Sequence, residues 1–142
     1  MQVVLNATDV RKHWSQFNDD VVHDGPRFVK RNRDRWAALS FDHLKEAFSE
    51  YTFGAVYFVE EDGSVTVSLK DFDIVENADS KEEAIDLLAD ELIEYTYEYM
   101  DNFKLYFNSS NRRNHFKFIM NVLIQVNEEN VKELIKCEAG EI

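Results

Sequence analysis

One cysteine, one proline and four glycines in 142 residues rule out several architectures at once. Cys137 has no partner for a disulfide, so a cross-linked secreted scaffold is excluded and a reducing compartment fits. With Pro26 the single proline, no Pro/Gly/Ser-rich linker divides the chain. The longest apolar stretch, "FIMNVLIQV", is far shorter than the roughly 20 residues of a membrane-spanning helix. The start "MQVVLNATDV" has neither a basic region nor a long apolar run, so no signal peptide is expected. A soluble cytoplasmic protein without a membrane partner is the expectation.

Catalytic chemistry is equally sparse. His13, His23, His43 and His115 show no metal-ligand spacing, and no second cysteine supports them. There is no glycine-rich phosphate loop and no nucleophile elbow. Carboxylates abound, but most fall on expected exposed faces, where no desolvated acid can form. Neither an enzyme nor a bound metal or cofactor is expected.

What the chain does have is enough apolar mass for a core, 44% hydrophobic with 13% aromatic, and a lopsided charge. Residues 1–40 carry seven Lys/Arg against five Asp/Glu, whereas residues 41–142 carry nine against twenty-three. "RFVKRNRDRW" alone holds Arg27, Lys30, Arg31, Arg33 and Arg35 in a chain of net charge −12. Such asymmetry implies two jobs with oppositely charged partners.

Local patterning predicts an α+β protein of two parts, residues 1–52 and 53–142. "QVVLNA" reads as a strand, and Thr8 as the cap of a helix over 9–23 with an inward stripe of Val10, Trp14, Phe17 and Val21. Gly25 and Pro26 end that helix. "RFVKR" and "RWAALSF" form a hairpin with a basic tip, and Ser40 caps a helix to about Tyr51 packed through Leu44, Ala47 and Phe48. In the second part, Asp62-Gly63 marks a hairpin, and a third strand lies near "FDIVE". Ser80 and Glu83 open a long helix to about Phe103, with a buried stripe of Ile85, Leu88, Leu92, Tyr95 and Tyr99. After "NSSN" a helix over roughly 111–124 is expected, although "FKFIMNVLIQV" also fits a strand, and Asn127 caps a short helix through Leu134 and Ile135.

Three surfaces stand out. Arg11 and Lys12 in a first helical turn, beside the basic hairpin, offer phosphate oxygens amide donors and cations. Glu82, Asp86, Asp90, Glu94 and Glu98 recur every four residues on the long helix. Neighbouring carboxylates at that spacing cost about 0.2–0.5 kcal/mol each, and a basic partner relieves them. A solvated surface explains the basic hairpin as well as a partner does, and taken alone explains the acidic ridge better. The apolar run from Phe116 to Ile124 serves either as core or as a partner face.

"NATDVRKHWSQFNDDVVHDGPRFVKRNRDRWAALSFDHLKEAF" resembles the N-terminal domain of the Phd/YefM (prevent-host-death) antitoxins. The matches are Ala7, Arg11, Trp14, Ser15, Val21, Pro26, Val29, Lys30, Arg31, Ala38, Leu39 and Ser40. Arg33 departs from the family, standing where Gly is frequent. The whole is similar to RelB-like antitoxins with a longer acidic C-terminal part, and "SVTVSLKDFDIVENADSKEEAIDLLADELIEYTYEYM" resembles the HicB antitoxin pattern. The resemblance implies a small β-α-β-β-α unit that dimerises, binds operator DNA and represses its own operon. By position it carries DNA contact to Thr8, Arg11, Lys12, Arg31 and Arg33. The second part, a hairpin and long helix with terminal helices, would bind a basic toxin, a RelE-like ribonuclease or a HicA-like one. Asp90 and Glu94 would steer it; Phe116, Ile119, Met120 and Leu123 would anchor it. A stand-alone transcriptional regulator or protein-interaction module is the alternative.

Overall fold

A computed structural model describes residues 4–125 and 127–140. The chain is α+β and folds as two compact units, Met1–Ala47 and Phe48–Ile142.

The first unit runs β1 (Val4–Asn6), α1 (Ala7–Lys12), α2 (Trp14–His23), β2 (Arg27–Arg31), β3 (Asp34–Ala38) and α3 (Phe41–Phe48). β1 lies parallel to β2, which the helical crossover permits, and β2 pairs antiparallel with β3 through a two-residue turn. Asn32, at φ 56°, takes the left-handed turn position that Asn tolerates. Among the described residues Val10, Phe17, Val21 and Val29 form its buried core, with Leu5, Ala7 and Ala38 half-covered against it. Asp24 is the C-cap of α2, Gly25 follows it at φ 129°, and Pro26 comes next, so the helix stops where the sequence implies.

The helix expected over 9–23 is two helices. Asn6, not Thr8, is the cap: its Oδ1 accepts from Thr8 N–H at 2.8 Å. The backbone leaves helical geometry at His13 (φ −120°, ψ 43°), which turns the next residues off the first helix's stripe. Trp14 is therefore 58% exposed rather than inward, and only stacks on Phe17 at 5.7 Å. α3 stops at Phe48, and buries no residue; Ala47 is exposed, and Leu44 and Phe48 are half-covered.

The second unit lays helices on a four-stranded sheet. β4 (Phe53–Val59), β5 (Val65–Leu69) and β6 (Ile74–Ala78) form an antiparallel meander, α4 (Lys81–Asp101) follows, and β7 (Ile135–Ala139) returns parallel to β4. The strand order is β6-β5-β4-β7. Val65, Val67 and Leu69 alternate inward along β5, as period-two patterning demands. Against them α4 buries Ala84, Leu88, Ala89, Leu92, Thr96 and Tyr99, while Ile85 and Tyr95 are half-covered at the edge of that seam. Ser80 Oγ accepts from Glu83 N–H and so caps α4. The helix breaks at Asn102, and α5 (Phe103–Phe107) follows.

α6 (Phe116–Leu123) settles the ambiguous segment as helix, with Ile119 at 0% exposure and Val122 and Ile124 buried. Asn127 caps α7 (Glu128–Glu133), but Ile135 belongs to β7 and not to that helix. "IKCEA" escapes pattern reading because only Ile135 of this edge strand is buried.

Ile119→Ala tests the role of α6. Truncating a fully buried side chain costs about 2–5 kcal/mol. Urea unfolding is expected to show a loss in that range, and a loss below about 1 kcal/mol would mean Ile119 is not core.

Candidate nucleic-acid and partner interfaces

In the first unit, β2 alternates between an inward set, Arg27 and Val29, and an outward set, Phe28 and Lys30. Arg27 is 4% exposed: its Nη1 donates to Gly25 O at 3.0 Å and Pro26 O at 3.2 Å, and its Nη2 lies 4.0 Å from Asp24. It holds the turn after α2 and is no part of a basic surface. The remaining cations are exposed. Among the described residues, Arg11, Lys12, Lys30, Arg31, Arg33 and Arg35 form no salt bridge.

Thr8, Arg11 and Arg31 come together as walls of one open cleft of about 690 Å³, which Lys30, Asn6 and Asn32 complete. Register explains the assembly: Asn6 stands beside Lys30 on the parallel pair, and Arg31 faces Asp34 across the hairpin. Lys12 and Arg33 are exposed but line no part of it. Arg11 and Lys12 sit in the last turn of α1, not in a first turn, so free amides at a helix start do not contribute. The cleft offers cations, a hydroxyl and side-chain amides. Lys30, part of the basic stretch in the sequence but not among the expected DNA contacts, joins them here; the inward Val29 is the signal that puts its neighbour outward.

In the second unit the carboxylate ridge of α4 lies away from the sheet, and its members differ in surroundings. Asp86 pairs with Lys132 at 2.7 Å, and Glu98 Oε1 accepts from Tyr106 O–H at 2.6 Å. Asp90 stands against Glu128, and a hydrogen bond with that carboxylate, with like-charge repulsion, raises the pKa of Glu128. Burial first, and Glu76 second, raise that of Glu91. Glu94 is exposed without an ion pair among the described residues.

Of the expected apolar anchors, Ile119 is core and beyond a partner's reach in this conformation. Phe116 is half-buried against Phe103 and Phe107 at 5.5 and 5.2 Å, and Met120 is half-buried. Leu123 alone lines a groove of about 270 Å³ between α4, α6 and α7, together with Ile93, Tyr97, Val131 and Glu128. Tyr97 is 64% exposed at its edge. Of Tyr95, Tyr97 and Tyr99, it is the one that falls off the apolar stripe, a signal present in the sequence.

No helix among the described residues is long and apolar enough to cross a membrane, and none of their His, Cys, Asp and Glu side chains cluster to hold a metal. No curated protein matches the sequence significantly. A solved structure does: the crystal structure from Syntrophomonas wolfei subsp. wolfei described as the antitoxin part of a proposed toxin/antitoxin system. It is 37% identical, with a TM-score of 0.91 over 99% of this chain and 100% of that one. A PHD-like family model, described as the antitoxin of RelE/RelB toxin–antitoxin systems, matches residues 1–137. The chain belongs to this family of antitoxins, a non-enzymatic regulatory class whose partner is a toxin.

Proposed function

We propose that the first unit binds operator DNA as a homodimer and represses its own operon, while the second neutralises a basic toxin of the RelE kind. The observation that carries the DNA reading is the cleft of Arg11, Lys30 and Arg31, cations without internal counter-ions in a chain of net charge −12. A solvated charge is stable anywhere, but three converging on one cleft with Thr8, Asn6 and Asn32 match a phosphate's need for charge and donors together. Arg33 and Lys12 lie outside the cleft as further phosphate contacts.

Dimerisation follows from how little this unit buries. Four apolar side chains form its core, and domains near 40 residues usually need a staple or a partner. The sheet face turned away from the helices leaves Val4 50% and Phe28 48% exposed, with Ala37 beside them. A second copy covers that face most economically.

For the toxin, the groove beside Tyr97 supplies the apolar anchor point, and Leu123 its floor. Glu128 lines it with Asp90 against it and Glu94 exposed on the same helix as Tyr97, and the crowding of Asp90 against Glu128 is relieved by an incoming Lys or Arg. Phe116, Ile119 and Met120 act indirectly, by holding α6 in place.

Three outcomes check these assignments. Arg11→Ala with Arg31→Ala is expected to weaken binding to a duplex from the chain's own upstream region, and to reduce the log–log salt slope by about 0.9 per lost phosphate contact. Fluorescence anisotropy measures it, and an unchanged slope would leave the cleft merely solvated. Phe28→Asp is expected to convert the chain to a folded monomer by light scattering; a dimer that persists would place the interface elsewhere. Tyr97→Ala is expected to cost about 2 kcal/mol in toxin affinity, the scale of an interfacial aromatic anchor. Asp90→Asn with Glu94→Gln should instead slow association and flatten its salt dependence. Stopped-flow and calorimetry separate the two, and unaltered toxin binding in both variants would move the interface off α4.

A further inference from the structure

The turn joining β5 to β6 and the loop before the 3₁₀ turn Arg113–His115 enclose a cleft of about 530 Å³ in the second unit. It lies apart from the groove beside Tyr97, with which it shares no lining residue. Lys70, Tyr95, Asn111, Arg112 and His115 line it, with Asp71 and Asp73 on the turn.

Arg112 is the anomaly. Its guanidinium lies 4.0 Å from the Tyr106 ring centroid and 5.9 Å from that of Tyr95, and its backbone carbonyl accepts from Tyr99 O–H at 2.9 Å. Side chain and main chain are therefore both held. Yet Nη1 is buried with no hydrogen-bond partner, and Arg112 makes no ion pair among the described residues. Tyr106 and the more distant Glu98 support the charge of Arg112, but buried donors are almost always satisfied, and Nη1 is left without an acceptor.

The opposite wall is fixed in an unusual way. Asp71 and Asp73 take positive φ, 69° and 57°, a conformation that costs non-glycine residues energy and collects at ligand sites. His115 pins this turn. Its Nε2 donates to Asp71 O at 2.9 Å, its Nδ1 accepts from Tyr95 O–H at 2.7 Å, and its ring stacks on Phe72 at 4.2 Å. Burial first, and Arg112 beside it, lower the pKa of His115, which favours the neutral ring and leaves the charge of the cleft to Arg112 and Lys70. Neither Asp71 nor Asp73 forms an ion pair with them.

We propose that this cleft binds an oxyanion, the carboxylate or phosphoryl group of a ligand, with the half-buried Arg112 as its counter-ion and Lys70 as its rim charge. The planar guanidinium fork suits two oxygens of one group, and the Asn111 amide is a further donor on the same wall. Asp71 and Asp73 limit the ligand to one oxyanion, since a second would meet their repulsion.

The test titrates inorganic phosphate, and separately acetate, into the full chain at constant ionic strength, with NMR of the Arg112 side chain and the His115 ring. Saturable shifts are expected with at least one anion. His115, whose pKa is lowered first by burial and further by Arg112, should titrate at higher pH once the anion offsets that charge. Exposed Lys70 can be replaced without disturbing packing, and Lys70→Ala is expected to weaken binding about 2- to 5-fold, the range of a surface ion pair. Arg112→Gln is expected to abolish it. Response to phosphate alone identifies a phosphoryl ligand, and response to acetate a carboxylate. No saturable shift with either anion, or binding unaltered by Lys70→Ala, overturns the proposal.

Discussion

Ala84, Leu88, Ala89 and Leu92 are all at 0% exposure along one seam of α4, pressed on Val67 and Leu69 of the sheet. Thr96 joins that seam at 1% exposure because its hydroxyl donates to Leu92 O at 2.8 Å and leaves no polar group unmet. Small residues at 84 and 89 let the helix lie close, and the contact is what the second unit's other features depend on. With one face of α4 committed, the carboxylates have only the opposite face to occupy. They face away from the sheet, where Asp86 meets Lys132 and Glu98 meets Tyr106. The same seam fixes where Tyr95 and Tyr99 stand, and through them the placement of His115 and Arg112.

The first unit obeys a different constraint. Its core is four side chains, and it spends one of its basic residues, Arg27, on holding a turn from the inside. The rest are exposed by strand alternation: a strand that points Val29 inward must point Lys30 outward. Charge and topology thus cooperate. The parallel pairing of β1 with β2 sets Asn6 beside Lys30, and the short α1 sets Thr8 and Arg11 at the same cleft.

Periodic features were readable in the amino-acid sequence. The alternation of Val65, Val67 and Leu69, the caps Ser80 and Asn127, and the Gly25-Pro26 stop each involve neighbours in the chain, so local physics suffices. Features made by distant neighbours were not. β7 is an edge strand with one buried residue, and only its pairing with β4 makes it a strand. Trp14 fits the stripe by spacing, but a break at His13 carries it into solvent. Ile119 has the composition of an anchor, and packing against the rest of the unit makes it core. The Arg112 cleft joins residues 68–73 and 75 to 95, 111, 112 and 115, and no spacing rule announces it.

Hydrogen–deuterium exchange of the full chain measures directly the proposed division of labour between two units of opposite local charge. Exchange would be followed in the free chain, with a duplex from its own upstream region, and with its toxin. The account predicts that DNA protects residues 6–12 and 28–35 and leaves α4 unchanged, whereas toxin protects α4 between Asp86 and Asp101 together with α7. Protection of α4 by DNA, or of residues 6–12 and 28–35 by toxin with α4 unaffected, would contradict it.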